Sequence, residues 1–307
     1  MEAMRTRAVA IATLVLLAAV APYPHVGATE STPSASQPCG HGGAAPARYD
    51  HVVWIWMENH RRSSVIGDQS APYETYTAAL CGNATDYRDV SSPSLPNYVA
   101  ATSGSDQGIA DDADPSSHPL RVDNLFRQVR AAGGSAITYA DAMPAPCSQA
   151  STPRYAVKHN PAAYYQGGDD RAVCGRDDVT LGSLSDGDLV TALRANRLPT
   201  FSFVIPDICH DTHDCSVGTG DAWLSQLVPQ IQDSPAYRGG RTAVFIVWDE
   251  PRPMPFIVIA PTVPHGVVVG LPIDHYALLR TTEELLALDG RLGVAATAPS
   301  LRGPFGL

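Results

Sequence analysis

HVVWIWMEN, residues 51–59, decides how this chain reads. Seven consecutive residues from His51 to Met57 are almost wholly β-branched, aromatic or apolar, which predicts a strand buried on both faces, as in a parallel sheet. Glu58 and Asn59 follow at once, at the carboxyl end where open α/β sheets place their ligands. A second such run, TAVFIVW over Thr242 to Trp248, ends in Asp249 and Glu250. Further strands are expected over Ala136 to Tyr139, Thr200 to Ile205 and Phe256 to Ala260. Helical spacing lies between them: Leu95 to Ser103 with Ser94 as a possible N-cap, Val122 to Ala132 closed by Gly133-Gly134, Leu184 to Arg194, Ala222 to Gln232 and Tyr276 to Leu288. Strands alternating with helices predict an α/β fold, a three-layer α/β/α sandwich around a largely parallel central sheet. There is no internal repeat.

The start of the sequence speaks about compartment. Arg5 and Arg7 precede an apolar stretch from Ala8 to Ala21, and Val26-Gly27-Ala28 offers small residues for cleavage, so residues 1–28 read as a secretory signal peptide. A retained anchor would need roughly 20 apolar residues, more than this stretch supplies. The expected product is exported, secreted or periplasmic, with no stable membrane span once the signal is removed. Residues 29–48, rich in Ser, Pro, Gly and Ala, read as a flexible leader, and 49–307 as a single domain. Within it, 143–178 carries two cysteines and three tyrosines and reads as a long insertion loop able to close over a site.

Six cysteines in an oxidising compartment suggest up to three disulfides, drawn from 15 possible pairings. Cys209 with Cys215 would clip a short loop, Cys147 with Cys174 would staple the insertion, and Cys39 with Cys81 then follows by elimination. A Cys/His zinc site competes in the Cys209 region, but no paired CxxC supports it. With 31 acidic against 21 basic residues the chain carries −10 formal charge, so no nucleic-acid-binding face is expected. The sequence leaves the oligomeric state open.

The chemistry-bearing residues converge on one sheet edge. Glu58, Asn59, Asp249 and Glu250 are hard oxygen donors of the kind that bind Mg²⁺, Mn²⁺ or Ca²⁺ and also serve zinc. Ser94 in SPSLPNY either caps the following helix or presents its hydroxyl at a helix N-terminus, where free N–H groups favour phosphate oxygens. Asn97, one turn later, stands where it could donate to such an oxygen. PDICHDTHDC, 206–215, concentrates His210, Asp211, His213 and Asp214, as metal ligands, a phosphate clamp or a polar surface loop. His159, in KHNPAAYY, could reach phosphate or protonate a leaving oxygen, while His275 is as readily a packing histidine. Tyr155, Tyr164 and Tyr165 could form a cage for a quaternary ammonium group.

In order, MEN (57–59), SPSLPNYVAATSG (92–104), KHNPAAYY (158–165), PDICHDTHDC (206–215), WDE (248–250) and DHYALLRTTEE (274–284) resemble the bacterial phosphoesterases that include non-haemolytic phospholipases C and secreted acid phosphatases, within the alkaline-phosphatase-like superfamily. That resemblance spans about Tyr49 to Gly290. It implies a phosphate-ester hydrolase using one or more divalent metal ions held by Glu58, Asn59, Ser94, Asp249 and Glu250. It further implies Ser94 as the nucleophile, with a phosphoserine intermediate. Asn97, His159, His210 and His213 would contact phosphate, and His159 and His213 would assist the leaving group. Phosphomonoesters are the expected substrates, a phosphodiesterase or phospholipase C the nearest rival, and a non-catalytic exported phosphate- or polyanion-binding protein the next. One departure stands out: Pro251-Arg252-Pro253-Met254 joins the acid pair to the next strand almost directly, where family members carry Gly and a longer loop.

Overall fold

Strand β1 (His51–Met57) lies at the centre of an eight-stranded sheet in a computed structural model that describes Met1 and residues 37–307. The expected signal peptide, apart from Met1, and the first part of the leader fall outside the described residues. The other strands are β2 (Gly82–Ala84), β3 (Tyr87–Arg88), β4 (Ala136–Ala140), β5 (Asp178–Thr180), β6 (Phe201–Ile205), β7 (Thr242–Trp248), β8 (Phe256–Ile259), β9 (Val267–Val269) and β10 (Ile273–Asp274). The sheet runs β5-β4-β6-β1-β7-β8-β2-β9, while β10 pairs separately with β3. Only β8 is antiparallel to its neighbours. The expected sandwich with a largely parallel sheet is therefore what the chain forms.

Helices α1 (Pro72–Leu80), α2 (Ser94–Ser103), α3 (Leu125–Ala131), α4 (Asp170–Asp177), α5 (Asp188–Arg194), α6 (Val217–Gln232), α7 (Pro235–Arg238), α8 (His275–Leu285) and α9 (Arg302–Phe305) complete the fold. Successive β1 side chains point to opposite faces, and their partners separate the two helical layers. Trp54 donates its indole N–H to Thr282 of α8 at 3.0 Å, and Trp56 packs on Tyr98 of α2 at 4.6 Å between ring centroids. Met57, one position on, reaches α6, where a Cβ on Gly220 would collide with its methyl group. Both Trp54 and Met57 are fully buried, which is why β1 reads as a continuous apolar run rather than an alternating one.

The three expected disulfides are present: Cys39–Cys81, Cys147–Cys174 and Cys209–Cys215. The first of these corrects the reading of the leader. Cys39 is buried, the Gly40 and His41 amides donate to the carbonyls of Val263 and Pro261, and the Tyr237 hydroxyl donates to Pro38 O, so residues 37–48 are pinned to the body. The insertion at 143–178 also departs from a structureless loop, since it holds 3₁₀ turns at Val157–His159 and Pro161–Ala163 and the helix α4. No helix among the described residues is long and apolar enough to cross a membrane.

Candidate active site

β1 and β7 are parallel neighbours in a register that pairs Met57 with Trp248, so the residues that follow, Glu58 and Asp249, emerge side by side. This is the crevice beyond the carboxyl ends of the strands that the sequence reading singles out. Both carboxylates are completely buried. The loop after β6 locks the strand end: the Glu58 amide donates to Asp211 O at 2.7 Å, and the Thr212 hydroxyl donates back to Glu58 O at 2.6 Å. His275, the first residue of α8, fixes the neighbouring backbone. One ring nitrogen lies 2.9 Å from the Asp249 carbonyl and must donate; the other, 2.5 Å from the Tyr87 hydroxyl, must then accept. His275 is thus held neutral, its pKa lowered to about 3 by burial, as a positioning group.

Ser94 opens α2, but its side chain makes no capping hydrogen bond, and Pro93 occupies the cap position. The hydroxyl turns instead toward Glu58, donating to Oε2 at 3.3 Å. The capping alternative for Ser94 is excluded by this geometry. Four residues along the same helix face, the Tyr98 hydroxyl donates to Glu58 Oε1 at 2.5 Å. His159 Nε2 lies 3.1 Å from that same oxygen, and its Nδ1 lies 3.2 Å from Asp211 Oδ2. The result is a buried chain, Asp211–His159–Glu58–Ser94, with the His159 ring stacked on Tyr98 at 5.4 Å.

Electrostatics show what this cluster lacks. Glu58 is held well above the usual carboxylate range by burial and then by the charge of Asp211. Asp249 is raised well above it by burial, then by Glu58 and Glu250. Burial raises Glu250 as well, and pushes Asp211 up to about 8. Neither Asp249 carboxylate oxygen accepts a hydrogen bond, although both are inaccessible to solvent. Adjacent buried carboxylates with orphaned oxygens want a cation. Glu58, Asp249 and the Ser94 hydroxyl gather oxygen donors of the kind that fits a hard divalent ion. Glu58, His159 and His213 also bring ligand atoms within 4.8 Å of one another.

The remaining predicted site residues divide. His213 stays at the site, with its ring 5.7 Å from His159 and its Nδ1 2.7 Å from Asp214. His210 does not join them. Its Nδ1 lies 2.8 Å from Asp141 Oδ2, and its ring stacks on Trp223 over the neighbouring ends of β4 and β6. His159 is 1% exposed, its nitrogens close to Glu58 and Asp211 but in hydrogen-bond geometry with neither, and burial lowers its pKa well below the ordinary imidazole value. Asn97 is committed elsewhere: Oδ1 accepts from the Val90 and Ser91 amides, and Nδ2 donates to Ser91 O and Pro93 O. It shapes the turn that presents Ser94. In this structure its amide is not free for phosphate, which corrects the expectation.

Two further residues that matter here are Tyr98 and Asp211. Tyr98 had a signal, the four-residue spacing from Ser94. Asp211 is one of three acids in its segment, and only the fold selects the one whose side chain turns inward. The short connection after Glu250 is anchored rather than slack. Arg252 Nε pairs with Asp89 at 2.8 Å, the Met254 amide donates to Tyr87 O, and the Arg62 amide donates to Pro253 O.

Residues 75–253, more than half of the chain, match the Phosphoesterase family. The chain belongs to that family. Hydrolysis of phosphate ester bonds is therefore its chemistry. This phosphoesterase is 28% identical over 273 residues to the phosphatidylinositol-3-phosphatase of Mycobacterium tuberculosis, covering 87% of this chain and 86% of that one. It is 23% identical over 237 residues to an acid phosphatase of Aspergillus fumigatus, covering 74% of this chain and 51% of the relative. The chain thus spans about half the length of the fungal acid phosphatase it matches. A protein of the alkaline phosphatase superfamily from Vibrio parahaemolyticus superposes with a TM-score of 0.56 at 12% identity over 89% of this chain and 73% of its own. That likeness is one of fold.

Proposed function

We propose that this phosphoesterase is an exported, metal-dependent phosphomonoesterase that transfers the phosphoryl group to Ser94 and then to water. The observation that carries the proposal is the Ser94 hydroxyl: it opens α2, ignores its capping role, and donates to Glu58 beside the orphaned carboxylate of Asp249. Ser94 Oγ attacks phosphorus as the ester oxygen departs, and its proton passes to Glu58 Oε2. Water then attacks phosphorus from the leaving side, inorganic phosphate departs, and Ser94 regains its hydrogen. A divalent ion bound by Glu58, Asn59, Asp249 and Glu250 would lower the pKa of the Ser94 hydroxyl and neutralise charge on the phosphoryl oxygens. Asp211 and Tyr98 keep Glu58 and His159 oriented throughout. His213, at the solvent rim, is the group placed to protonate a departing alkoxide.

The monoester preference rests on two supports. The relatives named above are a lipid monoester phosphatase and an acid phosphatase, and the tyrosines that would have formed an ammonium cage are used in packing. Tyr155, Tyr164 and Tyr165 are at most 1% exposed. Their hydroxyls bond to Ser148 O and Asn160, to Ala113 O and to Thr102. Three disulfides among the described residues agree with an oxidising destination. The test compares nitrophenyl phosphate with bis(nitrophenyl) phosphate, with and without chelator. Chelator-sensitive monoester turnover is expected. Faster diester turnover would move the reading to phosphodiesterase or phospholipase C, and no turnover with any divalent ion would favour a phosphate-binding protein.

A further inference from the structure

Twenty of the 21 basic residues in the sequence are arginines, and the single lysine is Lys158. Every other fixed positive side-chain charge in the chain is a guanidinium. The one ammonium immediately precedes His159, on the 3₁₀ turn Val157–His159 that packs against the catalytic cluster. Lys158 Nζ lies 3.0 Å from Asp112 Oδ2, and Asp112 Oδ1 accepts the Leu95 amide at 2.9 Å. One carboxylate therefore separates this ammonium from the backbone next to the nucleophile. The Lys158 side chain keeps 22% of its surface exposed, unlike Glu58 and His159 beside it, so it borders the open side of the site. Against the lowering by burial, Asp112 first and then Glu58 and Asp249 hold it above its ordinary pKa, and its charge in turn eases the ionisation of Glu250. Nearby guanidinium groups are engaged: Arg154 with Asp207 and Arg252 with Asp89.

We propose that Lys158 is a phosphate-binding residue of this site, its ammonium leaving Asp112 to contact a non-bridging oxygen of the phosphoryl group transferred at Ser94. The proposal rests on the reading of Ser94 as phosphoryl acceptor and adds the group that meets the substrate's negative charge. A phosphomonoester dianion entering beside Glu58, Asp249 and Glu250 adds charge to an acidic pocket. A divalent ion would be held by those carboxylates; a second cation on the open side is what the ester oxygens need. Lysine suits this better than arginine, because a compact ammonium on a flexible stem can swing between two partners, whereas a guanidinium would lock onto Asp112 through paired hydrogen bonds. Asp112 parks the ammonium and, through Leu95, ties that resting place to α2.

Having one lysine makes the test clean. Acetylation of the wild-type protein with an N-hydroxysuccinimide ester, followed by peptide mass spectrometry, reads a single side-chain amine. Saturating inorganic phosphate is expected to slow acetylation of Lys158 at least about tenfold while leaving the terminal amine unaffected. Alongside it, Lys158→Met is expected to raise the inhibition constant of phosphate roughly 10- to 100-fold, as the loss of one charge-assisted hydrogen bond implies, with Lys158→Arg between. Asp112→Asn, which keeps an acceptor for Leu95 but frees the ammonium, should leave that constant unchanged or lower it. An ion pair that only supports the fold predicts matching effects of Lys158→Met and Asp112→Asn. Acetylation unaffected by phosphate, or Lys158→Met with wild-type phosphate inhibition, overturns the proposal. Should Lys158→Met fail to fold, the protection experiment decides alone. Full turnover in Ser94→Ala would instead sink the Ser94 reading, while phosphate protection of Lys158 would still report on binding.

Discussion

Tyr98→Phe isolates one hydrogen bond at the heart of the site. The substitution keeps the ring that packs on Trp56 at 4.6 Å and stacks on His159 at 5.4 Å, and removes only the hydroxyl that donates to Glu58 Oε1 at 2.5 Å. That bond is short, buried and made to a carboxylate, a class worth about 1.5–3 kcal/mol. Without it Glu58 Oε1 faces His159 alone, and the carboxylate that should hold both the metal and the Ser94 proton loses its orientation. At about 1.4 kcal/mol per decade, the loss is roughly 10- to 150-fold, matching the 10- to 100-fold typical for groups that orient metal ligands. Chelator-buffered metal titration of nitrophenyl phosphate turnover measures it directly. The midpoint is expected to rise by that factor and kcat/KM at saturating metal to fall about tenfold, with a modest drop in Tm. A Tyr98→Phe protein with wild-type metal midpoint and kcat/KM would refute the claim that Tyr98 orients Glu58.

Three further expectations follow from separate parts of the structure. Asp178, buried and accepting both of its hydrogen bonds from Asn160, has its pKa raised to about 7 by burial. Because the folded state favours its protonated form, its contribution is complete below about pH 4, declines as pH rises, and is lost above about pH 7. Asp178→Asn should therefore gain on wild type by up to about 4 kcal/mol between pH 4 and pH 8, and a melting series with equal slopes for both proteins would contradict it. Cys39–Cys81 closes a 42-residue separation and Cys209–Cys215 one of only six, so replacing each pair by serine should cost about 4 and about 2 kcal/mol respectively. Activity should follow the opposite order, because the short loop delivers Asp211 and His213; equal kinetic losses in the two variants would argue against that division. His210→Ala should lower kcat/KM less than about threefold and His213→Ala more than about tenfold, measured on an alkyl phosphate with a poor leaving group; the reverse ranking would misplace the rim acid.

The sequence announces this fold where one residue faces two layers. β1 and β7 carry apolar side chains on both faces, so their boundaries coincide with the residues expected. Helices set by tertiary contacts are less legible. α6 begins at Val217 rather than Ala222 because Gly218 and Gly220 allow close approach to Ser70 and to the Thr212 loop, and glycine in a helix runs against propensity. α1 and β2 carry too few apolar residues to stand out, yet the Cys39–Cys81 bridge and the α1–α6 packing give them a place. At the site, strand-end acids and the Ser94 turn are readable because spacing alone aligns them. Asn97 is misread because its chemistry suits phosphate as well as it suits a turn, and only the four backbone partners choose between them. His210 and His213 differ by three residues in one short loop. What separates them is the direction in which Cys209–Cys215 and Thr212, in a left-handed conformation at φ 79°, turn the chain.

Trapping the phosphorylated protein tests the account at its centre. A ³²P-labelled phosphomonoester is mixed with wild type and with Ser94→Ala, the reaction is quenched in acid within milliseconds to seconds, and the peptides are mapped. The account predicts acid-stable label on the peptide containing Ser94 in wild type, none in the variant, and loss of turnover to match. No acid-stable label on the Ser94 peptide of wild type, or turnover in Ser94→Ala equal to wild type, would contradict it.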